Sequence, residues 1–172
     1  MIPKSIFGLA ALAALATPAA AADAPTDPQI AHIAYTAGNI DIAAAKQALA
    51  RSHNRAVRSF AQEMVRDHQA VNAKALALVK KLHVTPEANP TSAGLQKSAD
   101  ATLRRLSHLQ GRTYDRAYVA NEVAYHKTVN GALESTLIPS AKNGELKSLL
   151  ETGLTLFREH QAHAEQVAKA LK

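Results

Sequence analysis

The stretch Tyr118 to Leu133, YVANEVAYHKTVNGAL, carries a carboxylate and an imidazole where a helix core should be apolar. Steps of three and four residues put Val119, Glu122, His126, Val129 and Leu133 on one face, the face that a helical bundle buries. An unanswered Glu or His there costs several kcal/mol, about the penalty for any buried polar group without a partner. Two more imidazoles interrupt apolar rows in the same way. His68 follows Val57, Phe60 and Met64 and precedes Val71, Ala75 and Leu78; His160 stands between Phe157 and Ala164. Asp41 lies on or beside a stripe of small residues running from Ile30 to Ala48, where Ile40 is the apolar alternative for the inward position. Imidazoles mixed with carboxylates suit Zn, Cu, Fe or Mn. His68, His126, His160, Glu122 and Asp41 are therefore the candidate metal ligands. Asp67, Tyr118 and Tyr125 are candidate outer partners that hold the imidazole tautomers, and His163 reaches the same place or only its edge.

Four long helices must position these groups. Asp27 followed by Pro28 reads as a cap and a first turn, and the stripe behind them runs to about Arg51. Asn54 caps a second helix. Thr85 to Ala93, with two prolines, reads as a loop, followed by a short helix from Leu95 to Leu109 that Gly111 breaks. A third long helix starts near Thr113 or Asp115 and ends at Pro139; Lys142, Asn143 and Gly144 turn the chain into the fourth. Short turns make each consecutive pair an antiparallel hairpin. At about 1.5 Å per residue, Asp41 and His68 lie roughly 16 and 21 Å from the first turn. His126, Glu122 and His160 lie roughly 18, 24 and 25 Å from the second. All five share one level, within about two helical turns, if the two hairpin turns lie at the same end. His32, His53, His83 and His108 fall near helix ends or turns and read as surface residues.

Each polar group also has an ordinary alternative. A single inward imidazole can be a hydrogen-bonded core residue, and Glu122 can pair with a Lys or Arg or simply contact His126 one turn on. Three helices offering imidazoles at one height make the joint pattern stronger than its members.

Composition restricts the chemistry further. The 172 residues suffice for one domain with a real core, and the Ala, Leu, Lys, Gln and Glu content favours an all-α chain. With no cysteine, disulfides and thiolate ligands are excluded. There is no Gly-x-Ser-x-Gly elbow and no phosphate-binding glycine loop, which weighs against an enzyme of those classes. Residues 1–22 combine Lys4, an apolar run from Ile6 to Leu15 and small residues from Thr17 to Ala22, the pattern of a secretory leader cut after about Ala22. The expected mature unit is residues 23–172, exported and periplasmic, with peripheral envelope contact as one option and no membrane span. Loss of Lys4 takes the formal charge from +6 to +5, with acids and bases interspersed, so nucleic acid is not an expected partner.

The segments GNIDIAAAK, FAQEMVRDHQAVN, YDRAYVANEVAYHKTV, TLIPSAKNGELKSLL and LFREHQAHAE, in this order, resemble the bacterial domain of unknown function 4142 family. Asp67 with His68, His126 and His160 is similar to that family's pattern. The resemblance implies a ferritin-like antiparallel four-helix bundle, with the short helix in its crossover, and an exported protein of the kind labelled outer membrane protein; it implies no activity. Ferritin-like di-iron centres use Glu-x-x-His on two helices, whereas Glu122 and His126 are spaced by four. A single Zn or Cu, or a histidine-rich metal pair, is easier to build from these residues than an iron-oxidising centre. The expected function is core metal binding in metal handling or envelope stress. The alternatives are a metal-free interaction module with a buried His network, and a metal-dependent oxidoreductase or hydrolase.

Overall fold

Asparagine side chains start three of the helices, each accepting backbone N–H groups that the first turn leaves free. In the computed structural model, which describes residues 24–171, Asn54 accepts from Ala56 and Val57 at 2.9 and 3.2 Å. Asn143 does the same for Glu145 and Leu146 at 2.9 and 3.0 Å, and Asn89 accepts from Ser92 at 3.0 Å. The helices are α1 (Asp27–Arg51), α2 (Arg55–Lys81), α3 (Pro90–Ser107), α4 (Gly111–Ala132) and α5 (Gly144–Ala170). No strand occurs among the described residues, and none of their helices is long and apolar enough to cross a membrane. The leader expected over residues 1–22 lies outside the described residues.

Several boundaries differ from expectation for local reasons. Thr26, not Asp27, caps α1, and the Asp27 carboxylate instead accepts from the backbone N–H groups of Lys142 and Asn143, both at 2.8 Å. The crossover helix begins at Pro90 rather than Leu95, because Asn89 supplies a cap and proline suits the first turn. Gly111, expected as a break, is the first residue of α4, with φ of +54° that glycine adopts at little cost. Beyond Ala132 the helix widens into a π turn over Leu133–Leu137, where the Ile138 N–H reaches back to the Leu133 carbonyl, and then closes over Ile138–Ser140. The widening precedes Pro139, whose ring would clash with a tight preceding turn and which has no N–H to give.

The two hairpin turns lie at opposite ends, contrary to the arrangement that the level argument requires. Asp27 at the start of α1 binds the turn before α5, and Lys81 at the end of α2 pairs with Glu145 at 2.6 Å. The Ser52–Asn54 turn is at the far end of α1, roughly 36 Å away by helical rise. At that far end Arg51 donates to the Leu109 carbonyl at 3.3 Å, and Arg116 to that of Leu171 at 2.7 Å. Thus α1 and α5 run one way and α2 and α4 the other, while α3 runs beside α1 and spans the length of the molecule. The polar residues still meet, because each lies near the middle of its helix and a midpoint has nearly the same height from either end.

Two apolar clusters flank that middle. One gathers Phe60, Met64, Leu106, Tyr114, Tyr118 and Val119; the other gathers Ile30, Ile33, Leu133, Leu146, Leu150 and Phe157. Full burial of a side chain such as Phe60 or Met64 contributes roughly 1.5–3 kcal/mol. On α2 the inward row is fully buried only as far as His68 and Asn72; Val71, Ala75 and Leu78 remain half-buried.

Candidate metal centre

Asp41 from α1, His68 from α2, Glu122 and His126 from α4, and His160 from α5 form one polar layer, each at most 3% exposed. One ring nitrogen from each of His68, His126 and His160 lies within 4.8 Å of the other two. The ring centroids stand 5.3–5.8 Å apart, close to an equilateral triangle. The Asp41 carboxylate enters this triangle's edge, its Oδ2 at 3.5 Å from both His68 Nε2 and His126 Nε2. Asp41, Glu122 and His126 form a second group of mutually close ligand atoms, sharing His126 with the first.

Hydrogen bonds on His126 and His160 decide which of their nitrogens keeps a lone pair. His126 Nδ1 lies 3.0 Å from the Glu122 backbone carbonyl, which can only accept, so Nδ1 carries the proton and Nε2 keeps its lone pair. His160 Nε2 donates to Asp67 Oδ2 at 3.2 Å, leaving Nδ1 as the lone-pair nitrogen. Asp67 is held in turn by Arg66, which donates to both carboxylate oxygens at 2.7 and 3.0 Å. The arrangement, an imidazole oriented by a carbonyl or carboxylate on its far side, is the one that metal-ligating histidines use. His68 has no such partner; its ring stacks on Phe157 at 4.7 Å and 12°.

The layer is short of partners. As unprotonated groups, both carboxylate oxygens of Asp41, both nitrogens of His68, Glu122 Oε2, His126 Nε2 and His160 Nδ1 are buried without a hydrogen-bonding partner among the described residues, although a proton on Glu122 lets it donate to Asp41. Each such group, left unanswered, costs about 1–3 kcal/mol. Glu122 Oε1 is answered, by Asn121 Nδ2 at 3.3 Å.

Burial governs the titration of these groups. It pushes Asp41 up to about 7, and it pushes Glu122 well above the usual carboxylate range, where the neighbouring Asp41 charge adds to the rise. It lowers His126 to about 4 and His68 well below its ordinary value, the latter also opposed by any charge on His126 or His160. His160 is lowered by burial, against the pull of Asp67. Asp67 itself is held low, chiefly by its hydrogen bonds from Arg66. Near neutral pH the imidazoles are thus uncharged, the protonation state in which imidazole binds a metal.

The remaining sequence candidates fall around the layer. Tyr125 donates to the Ala37 carbonyl at 2.8 Å and sets its ring edge against His126, so it braces α1 rather than fixing a tautomer. The Tyr118 hydroxyl is buried with no partner among the described residues and holds no imidazole either. His163 is at the edge: it pairs with Glu63 at 2.7 Å and meets Phe60 edge-on, and the Glu63 carboxylate in turn lies within 4.8 Å of ligand atoms of Asp67 and His160. None of His32, His53, His83 and His108 is buried. Sequence reasoning missed Arg66 and Phe157 as supports of the site. The adjacency Arg66–Asp67–His68 was the available signal for the first; nothing local signals the stacking of Phe157 on His68.

The arrangement gathers three imidazoles in one group and Asp41, Glu122 and His126 in a second that shares His126, all buried, and groups of this kind could hold a transition-metal ion. No curated protein and no solved structure matches the chain. The family described as Domain of unknown function (DUF4142) matches residues 12–167, nearly all of the helical assembly, and the chain belongs to that family.

Proposed function

We propose that this chain is an exported, ferritin-like four-helix-bundle protein that holds a transition-metal ion in its core, in metal handling or envelope stress protection. The carrying observation is the convergence of three buried imidazoles, each with one ring nitrogen within 4.8 Å of the other two, and each with a buried ring nitrogen that has no hydrogen-bonding partner among the described residues. The ligands in this reading are His68, His126 and His160 with Asp41, and Glu122 beside them. A carboxylate in the set offsets part of the ion's charge, and its raised pKa makes binding release a proton. The bundle assignment draws on the directions of the long helices and on the α3 crossover between two helices that run the same way, a connectivity that ferritin-like folds use. Export rests on residues 1–22, with the bundle as one domain over 23–172.

Elemental analysis of the processed protein, recovered from the exported fraction without tag or chelator, tests this reading. Near-stoichiometric Zn, Cu, Fe or Mn is expected, and none in a His68→Ala, His126→Ala, His160→Ala variant whose helical circular dichroism is retained. A wild-type protein that arrives metal-free and takes up none of these ions would overturn it. The layer would then be a metal-free hydrogen-bonding network, for which the Asp67–His160 pair and the His126 bond to the Glu122 carbonyl are already in place.

A further inference from the structure

Between the metal layer and the end of the molecule where α1 begins lies a cavity of about 870 Å³. Its walls are apolar: Ile33, Val71, Leu78, Leu133, Leu150 and Phe157 line it. Small residues, including Ala34, Ala37, Ala75 and Ala132, line it where larger ones would fill the space. The contrast with the other half of the molecule, closed by Phe60, Met64, Tyr114 and Tyr118, is pronounced. Protein interiors close to near-crystalline density, so a void of this size is characteristic of a ligand pocket, for which roughly 300–1,000 Å³ is usual. Water finds few partners along its walls.

Its two ends differ in chemistry. At the inner end are His68 and His126, with the partnerless ring nitrogens described above. At the outer end are Thr26, Gln29, Asn89 and Thr91. The His126 Nε2 lone pair accepts from a head-group O–H, neutral His68 has one N–H to give a head-group oxygen, and an ion at the same place would offer a coordination position. Along α2, His68 to Val79 spans about 16 Å, and along α5 Phe157 to Leu146 spans the same. With carbon–carbon bonds near 1.5 Å laid in a zigzag, such a wall matches a chain of about twelve carbons.

We propose that this cavity binds a single-chain, medium-length carboxylic acid, its chain along the α2 and α5 walls and its carboxyl group at His68 and His126. The chain's fit depends on the walls alone, so the site is present with or without an ion; an ion strengthens the hold on the head group.

The test is titration of the processed protein with dodecanoic acid, in chelator and again with added zinc, by calorimetry. Saturable one-to-one binding in both conditions is expected, tighter with zinc. Hexanoic acid should bind about tenfold more weakly or worse, and Ala75→Phe, which fills the cavity from α2, should weaken dodecanoic acid by a similar factor. A photoactivatable diazirine analogue keeps the outcome independent of how that variant folds: crosslinks should map to 71–79 and 146–157. Absence of binding in both conditions, or crosslinks confined to other surfaces, overturns the proposal. Binding in chelator by a protein that takes up no metal would support the cavity while refuting the metal reading.

Discussion

Asp41→Asn in metal-free protein should stabilise the fold at pH 8, leave it little changed near pH 4, and weaken metal binding. Burial raises the Asp41 pKa from 3.8 to about 7. Across that interval the folded chain keeps a proton that the unfolded chain has released, so the stabilisation from the protonated carboxyl is complete below about pH 4 and is lost as pH rises through about 7. A shift of about three units at 1.36 kcal/mol each sets a ceiling near 4 kcal/mol on the penalty present at pH 8. Because Glu122 lies in the same layer and takes up part of the charge, roughly 2–4 kcal/mol of this should be recovered by an amide that cannot ionise. At roughly 2–4 °C per kcal/mol for a domain of this size, the rise in Tm is about 4–16 °C. The assay is thermal and urea unfolding of both proteins in chelator at pH 8 and pH 4, followed by zinc titration at pH 8. The variant should bind zinc at least about 100-fold more weakly, since the loss of a ligand exceeds the roughly 10–100-fold that removal of an outer partner costs. Equal destabilisation at both pH values in chelator would refute the reasoning: Asp41 would then be a structural acceptor for His68, not a buried acid poised for a cation.

Two further outcomes follow from the geometry. His126, lowered from 6.5 to about 4 by burial, makes the folded state bind fewer protons than the unfolded one, so it removes stability as pH falls through that window; relative to His126→Gln in chelator, the wild type should lose about 3 kcal/mol between pH 7 and pH 4, read from urea midpoints. Gly38→Ala places a methyl group against the Asn72 side-chain oxygen, where α1 and α2 meet, and disturbs the 2.9 Å bond from Asn72 to Asn39; a loss of about 1–3 kcal/mol in urea unfolding is expected, with metal stoichiometry unchanged.

Much of this molecule was legible in its periodicity. The rows that put Val57, Phe60, Met64 and His68 on one face, or Leu146, Leu150, Phe157 and His160 on another, select buried positions because a helix repeats every 3.6 residues whatever it packs against. Asparagine caps are equally local, depending on a side chain and the next three N–H groups. The inward placement of Asp41 was open between two neighbours, and packing buried both it and Ile40. The ends of the hairpins were misplaced for a different reason: a turn's position relative to another turn depends on the crossover, and α3 was expected to be shorter than it is.

Residue types and spacing alone determined an all-α chain with inward imidazoles on three helices, since burial pattern and metal affinity are properties of side chains and short-range geometry. Tertiary structure alone decided what surrounds them. The Glu122 carbonyl and Asp67 choose the tautomers of His126 and His160, Phe157 stacks on His68, and the small residues of α1 and α2 leave an apolar cavity beneath the triangle. Each of these depends on groups brought together from different helices or on space that no single helix encloses, and hydrophobic periodicity carries no information about either.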